Sequence, residues 1–170
     1  MTQEAWKTLA TALRLHTLGL SVIPLKPRAK VAAIEWKVYQ SKRPTEAQIQ
    51  EWFAIDSQRN VGVVLGSVSG VVVIETDSRE AETWTKEHMP ATPMMTSSAR
   101  GFHRYYRLPT DEWAGEDLPA FITVSDTLKV EVKRDGQYVV GPSSVHPSGH
   151  VYTEVEPWPA SLDALPEFPM

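Results

Sequence analysis

The sequence predicts an α/β (α+β) domain, a mixed β-sheet with flanking helices, and three features carry that prediction. Apolar residues recur at helical spacing through residues 5–18, and two β-branched runs at 60–66 and 70–77 have the composition of central strands. Hydrophobic and charged residues make up 42% and 22% of a 170-residue chain, ordinary globular values and enough length for one core.

Each element has a local reason. In the first helix Trp6, Leu9, Ala10, Leu13 and Leu18 share a face, and Gly19 stands where a C-terminal cap belongs. Residues 20–25 form a short apolar strand closed by prolines, followed by the basic loop Lys26-Pro27-Arg28-Ala29-Lys30. Thr45 with Gln48 makes a capping box ahead of Ile49, Trp52 and Phe53, so a second helix runs to about Phe53. The runs 60–66 and 70–77, joined by Ser67-Val68-Ser69, read as a hairpin. A short helix is expected over 79–87. Strand pairs are expected around 99–101 and around 133–137, and a last short strand over 150–154. Prolines at 157, 159, 166 and 169 mark residues 156–170 as a Pro-rich C-terminal tail or linker, leaving 1–155 as the folded domain.

Composition excludes several chemistries. With no cysteine there is no disulfide, thiol catalysis or cysteine-held zinc, and a reducing, cytoplasmic setting is expected. No apolar stretch reaches membrane-spanning length, so no membrane partner is expected. A formal charge of -4 gives no global footprint for tight duplex binding, which leaves local or metal-assisted contact with nucleic acid.

The acidic residues stand out. Glu75 and Asp77 are two apart at the end of an apolar strand, so they share a face and can share a hard divalent cation; a solvated strand end explains the pair equally well. Glu131 alternates with Val130 and Val132 and can join that site, or be an exposed strand glutamate. Ser97, Ser98, Arg100 and His103 cluster at a turn and suit a triphosphate, although the aromatic neighbours of His103 also fit a packing role. Ser143, Ser144 and His146 lie in a hydroxyl-rich loop that can hold phosphate or be an ordinary polar turn. Lys26, Arg28 and Lys30 are candidate template or phosphate contacts, or a solvated charged loop. Tyr105, Tyr106 and Tyr138 are either base-stacking surfaces or core.

Taken together, the segments resemble the bifunctional DNA primase/polymerase (Prim-Pol) N-terminal domain of the archaeo-eukaryotic primase superfamily, over roughly residues 5–155. Gly19-Leu20-Ser21-Val22-Ile23-Pro24-Leu25 with Lys30 is similar to its opening strand and loop, and Glu75-Thr76-Asp77 to its acidic pair. Gly101-Phe102-His103 is similar to its histidine motif and Glu131 to its third acidic position. The stretch from Asp135 to Gly149 is similar to its "G-x-Y-V-V-x-P-P-S-x-H-P-x-G" segment. Four departures stand out: glutamate at 75 where the family usually has aspartate, no proline where one often follows the early lysine, Ser143 in place of the second proline, and Gly101 where related primases often carry serine.

The resemblance implies an RNA-recognition-like core and a DNA primase or polymerase, a nucleotidyltransferase acting in replication of a plasmid, phage or other mobile element. It implies Glu75, Asp77 and Glu131 as ligands of two Mg2+ or Mn2+ ions, with His103 catalytic. Arg100, His103, Lys133, Ser143, Ser144 and His146 would stand at the dNTP or NTP. Implied partners are a single-stranded DNA template with primer, nucleoside triphosphates and a replicative helicase. The alternatives are a catalytically impaired nucleotide- or single-stranded-DNA-binding module of the same fold, and a metal-dependent nuclease.

Overall fold

The computed structural model describes residues 6–109 and 117–169. Helix α1 (Lys7–Leu18) buries Thr8, Thr11, Ala12 and Leu15. It stops at Gly19, whose φ of 112° lets its N–H reach the His16 carbonyl while the Leu20 N–H reaches Leu15, 3.1 Å each. Helix α2 (Glu46–Ile55) opens on the expected capping box, with the Gln48 N–H donating to Thr45 Oγ1 and the Thr45 N–H to Gln48 Oε1. Helix α3 (Arg79–His88) is capped by Ser78, whose Oγ accepts from the Ala81 N–H.

The strands form two sheets. One has three strands in the order β1 (Ser21–Leu25), β2 (Asn60–Val64), β8 (Tyr138–Val140). The other has six, in the order β6 (Phe121–Thr123), β7 (Lys129–Lys133), β3 (Val71–Thr76), β5 (Phe102–Arg107), β4 (Met95–Ser97), β9 (Thr153–Glu154). The α+β class stands, but in place of one mixed sheet every pairing of these strands is antiparallel.

Two expected hairpins do not form ladders, for one physical reason: chain neighbours enter different sheets, so that 60–66 and 70–77 pair only at the antiparallel bridge between Gly66 and Val71. β2 pairs with β1 and β8, whereas β3 pairs with β5 and β7. The link between β2 and β3 swivels on Gly66 (φ 88°) and Gly70 (φ 68°), and Ser69 ties it to the first sheet by accepting from the Ser21 N–H and donating to the Val64 carbonyl. A Cβ at Gly66 would also lie 2.2 Å from Asp135 Cγ, so a side chain there would displace the Asp135 carboxylate as well as strain the backbone. Likewise β7 and β8 separate after Lys133 instead of pairing with each other. The pair around 99–101 does form, as β4 and β5.

Both faces of β3 are covered. Val71 and Val73 join the main core with Leu15, Trp52, Phe53, Val63 and Tyr105, while Val72 and Ile74 pack with Tyr106, Val130 and Val132 beneath α3. Behind that second core Arg104 forks onto the Glu82 carboxylate at 2.6 and 2.5 Å, and Thr76 Oγ1 donates to the same carboxylate at 2.9 Å. This bidentate pair fixes α3 to the strands that carry the site. Burial pushes the Glu82 carboxyl up, but the bonds from Arg104 and Thr76 and the charges of Arg104 and Lys86 outweigh it and hold the group below its ordinary value.

Residues 156–169 pack onto the domain rather than leaving it as a tail. Trp158, Leu165 and Phe168 are buried, Trp158 Nε1 donates to the Met95 carbonyl, and the Phe168 N–H donates to Arg107. The cause is apolar: these three side chains add to the two cores between the prolines.

Candidate functional site: an acidic row across the larger sheet

Antiparallel register sets Glu75 directly opposite His103 on β5 and directly opposite Glu131 on β7. Continuing outwards, Glu131 faces Phe121 on β6, His103 faces Thr96 on β4, and Thr96 faces Glu154 on β9. Directly opposed residues project from one face of a sheet, so Glu75, His103 and Glu131 form a row. Asp77, two residues beyond Glu75, extends that face past the strand end.

Within the row, His103 Nε2 lies 3.3 Å from Glu75 Oε2, and Lys133 Nζ lies 2.6 Å from Glu131 Oε1. Burial pushes the Glu75 carboxyl up, but the His103 hydrogen bond and charge, with Lys133 and Lys30, outweigh it and hold the group below its ordinary value. His103 is 4% exposed, so its ring is fixed by packing.

A cleft of about 260 Å³ opens over this row, lined by Lys30, Glu75, His103, Lys133, Tyr138 and Tyr152. A narrower recess beside it shares Lys30, Glu75, His103 and Tyr152 and adds Asp77, Ser98, Arg100 and His146. The turn that carries Arg100 is tight. Gly101 donates to Ser98 Oγ, and a Cβ on Gly101 would lie 1.8 Å from the Thr76 carbonyl oxygen. Serine cannot occupy this position on this backbone, which accounts for the glycine.

The cleft therefore gathers most of the residues expected from sequence: Glu75, Asp77, His103, Arg100, Lys133, His146 and Lys30. The Glu131 carboxylate belongs to the row but turns to Lys133. Lys26 and Arg28 are exposed outside the cleft, where Arg28 reaches the Pro147 carbonyl at 3.5 Å. Ser143 and Ser144 do not line it. Ser144 is fully buried, with Oγ accepting from the Val61 N–H at 2.9 Å, and Ser143 donates to Thr11. The Ser144 hydroxyl is thus used on backbone inside the fold, and that of Ser143 on the first helix, outside this cleft. Tyr105 and Tyr106 are fully buried core rings and offer no stacking surface, whereas Tyr138 lines the cleft and donates its hydroxyl to the Lys30 carbonyl. Burial pushes the Tyr106 hydroxyl up to about 12.

Two residues escaped the sequence reading. Asn60 is 1% exposed and joins the two loops above the cleft. Its Nδ2 donates to the carbonyls of Ala29 and Val145 at 3.1 and 2.8 Å, and its Oδ1 accepts from the Val145 N–H at 2.9 Å. It thereby sets Lys30 and His146 near each other; an asparagine opening a β-branched run was the available signal. Tyr152 lines both parts of the cleft, its ring centroid 6.0 Å from that of His103 and 6.2 Å from that of His146. Burial, then the nearby Glu75 charge, pushes its hydroxyl up to about 12. His146 Nδ1 accepts from the Ser148 N–H, which leaves Nε2 as the donor. Desolvation, then the charges of Lys30, His150 and Arg100, holds its ring below the ordinary histidine value.

An acidic row on a β-sheet, rimmed by cations and histidines on two tethered loops, is an arrangement suited to handling phosphate-bearing substrates. The family comparison is specific: the bifunctional DNA primase/polymerase N-terminal domain matches residues 12–169. The chain belongs to this family, and membership gives it primase/polymerase-type, nucleotidyltransferase-like function in DNA replication. No curated protein matches the sequence significantly. No helix among the described residues is long and apolar enough to cross a membrane.

Proposed function

We propose that the domain extends a primer, or begins one, on a single-stranded DNA template by nucleotidyl transfer from a dNTP or NTP. The reaction joins a hydroxyl oxygen to the α-phosphate and releases pyrophosphate. The observation that carries this reading is the register of Glu75 with His103 and Glu131, with Asp77 on the same face. Three carboxylates on one sheet face fit a hard divalent cation in donor type and backbone placement. As folded, Glu75 and Glu131 engage His103 and Lys133, and among the described residues no three His, Asp or Glu side chains converge closely enough to hold an ion. Loading therefore requires these carboxylates to turn from their present partners. Glu75, Asp77 and Glu131 would hold Mg2+ or Mn2+, and the bound ions would supply charge neutralisation at the phosphates.

The remaining roles follow from position. Arg100, Lys30 and His146 rim the recess beside Asp77 and bind phosphate oxygens of the incoming nucleotide. His103, locked by burial and by Glu75, presents Nε2 at the junction of acidic row and cationic rim. Lys133 balances Glu131 and offsets negative charge on the far side of Glu75. Such a domain would serve replication of a plasmid, phage or other mobile element beside a helicase.

The glutamate at 75 and its contact with His103 favour one second reading, a nucleotide- or single-strand-binding module with impaired catalysis. Primed and unprimed single-stranded templates, supplied with dNTPs or NTPs and with Mg2+ or Mn2+, separate the two. Extension is expected from the wild type and only background from Asp77→Ala. Nucleotide binding without Asp77-dependent extension in any combination selects the impaired module, and degradation of labelled DNA without nucleotide consumption selects a nuclease.

A further inference from the structure

The β6–β7 hairpin, beyond the acidic row, has one covered and one open face. Ile122 and Val130 point to the second core, while Phe121, Thr123, Lys129 and Glu131 lie on the opposite side by register. Phe121 is 48% exposed, a large aromatic left in water at the edge of the sheet. Thr123 and Lys129, directly opposed, are exposed too. Lys133, two residues beyond Glu131 on the same face, lines the cleft itself.

We propose that this open face is a landing platform for single-stranded nucleic acid, in which Phe121 stacks on a base and Lys129 and Lys133 meet the flanking phosphates. An exposed ring with a lysine on each diagonal of the neighbouring strand suits the alternation of bases and phosphates along a single strand, and stacking needs no particular base because every base has a π-face. The occupant is argued from charge and continuity. Lys129 and Lys133 bracket Glu131, the residue opposite Phe121; Lys133 pairs with that carboxylate and becomes available to a phosphate when Glu131 turns to a metal, while Lys129 brings positive charge to the outer end of the face. Phe121 shares its row with Glu131 and then Glu75, so with neighbouring strands about 4.8 Å apart its backbone lies one strand from Glu131 and roughly 10 Å from Glu75. A strand lying on the platform would thus run directly into the cleft. The inference rests on the template-directed reading in taking that strand to be the template or primer.

Fluorescence anisotropy with a labelled oligo-dT, over a salt series, tests it on the whole chain. Phe121→Ala is expected to weaken binding roughly fivefold to a hundredfold, and Phe121→Trp to keep the affinity and show quenched indole fluorescence on binding. Lys129→Gln is expected to weaken binding and lower the slope of log affinity against log salt by about 0.7, one phosphate contact. Ile55→Ala, which trims an exposed apolar residue on α2, is the control for unspecific surface loss. Equal affinity of Phe121→Ala, Ile55→Ala and wild type, or no binding by the wild type at any salt, overturns the platform. The template-directed reading is judged separately by Asp77-dependent extension, so either can fail while the other stands.

Discussion

Asn60→Ala is the sharpest test of how the cleft is built. The side chain is 1% exposed and makes hydrogen bonds of 3.1, 2.8 and 2.9 Å to the Ala29 carbonyl, the Val145 carbonyl and the Val145 N–H. At about 1 kcal/mol net for each, with the Val145 N–H left stranded beside a buried strand, the loss comes to about 3 kcal/mol. With a urea slope of about 2 kcal/mol/M, the unfolding midpoint should fall by about 1.5 M at unchanged slope. Asn60 joins the loop of Lys30 to that of His146, so the Val145 amide should also exchange hydrogen faster and nucleotide affinity should drop. A stability loss under about 1 kcal/mol with Val145 still protected would show that the loops hold without Asn60 and would refute the reasoning.

Two further outcomes follow from charges near the row. Arg104→Met removes a 5% exposed guanidinium from the Glu82 carboxylate and should cost about 3–5 kcal/mol in denaturant unfolding, whereas adding Glu82→Leu should recover most of that; equal losses in the single and double variants would contradict it. Glu75 should titrate below its ordinary 4.5 in carboxyl-detected NMR, and His103→Gln should move that midpoint up. Because the folded value is the lower one, the stabilisation from Glu75 is full above 4.5 and is lost as pH falls through the folded midpoint. A wild-type midpoint at or above 4.5 would remove the ion pair from the account.

What the sequence disclosed and what it concealed divide along range. Gly19 and the Thr45–Gln48 box act on bonds within a few residues, so they are readable without tertiary knowledge. Alternation correctly set Glu75 with Asp77, and Glu131 against Val130 and Val132. Register did not follow, because nothing in residues 71–76 specifies which residue of β7 lies opposite Glu75. Neither hairpin ladder forms, since adjacency in sequence is only the usual guide to pairing; Gly66 and Gly70 between β2 and β3, and Gly136 between β7 and β8, permit a swivel that adjacency does not reveal. Ser144 was misassigned because a serine hydroxyl suits a phosphate as readily as a backbone N–H, and only its burial beside Val61 decides between them. Phe121 went unnoticed because a three-residue strand is too short to display a period.

The six-strand row has a consequence for how the molecule comes to exist. Two of its neighbouring pairs, Phe121 with Glu131 and Thr96 with His103, are local, but Glu75 with His103, Glu75 with Glu131 and Thr96 with Glu154 join distant parts of the chain, and Gly62 in the other sheet waits for Val140. Such high contact order makes assembly slow, since loop-closure entropy must be met before most pairings form. The acidic residues then sit together only in the finished domain. A chain still emerging from a ribosome carries Glu75 and Asp77 long before Glu131, and cannot gather its three carboxylates before β7 has been made and has paired with β3.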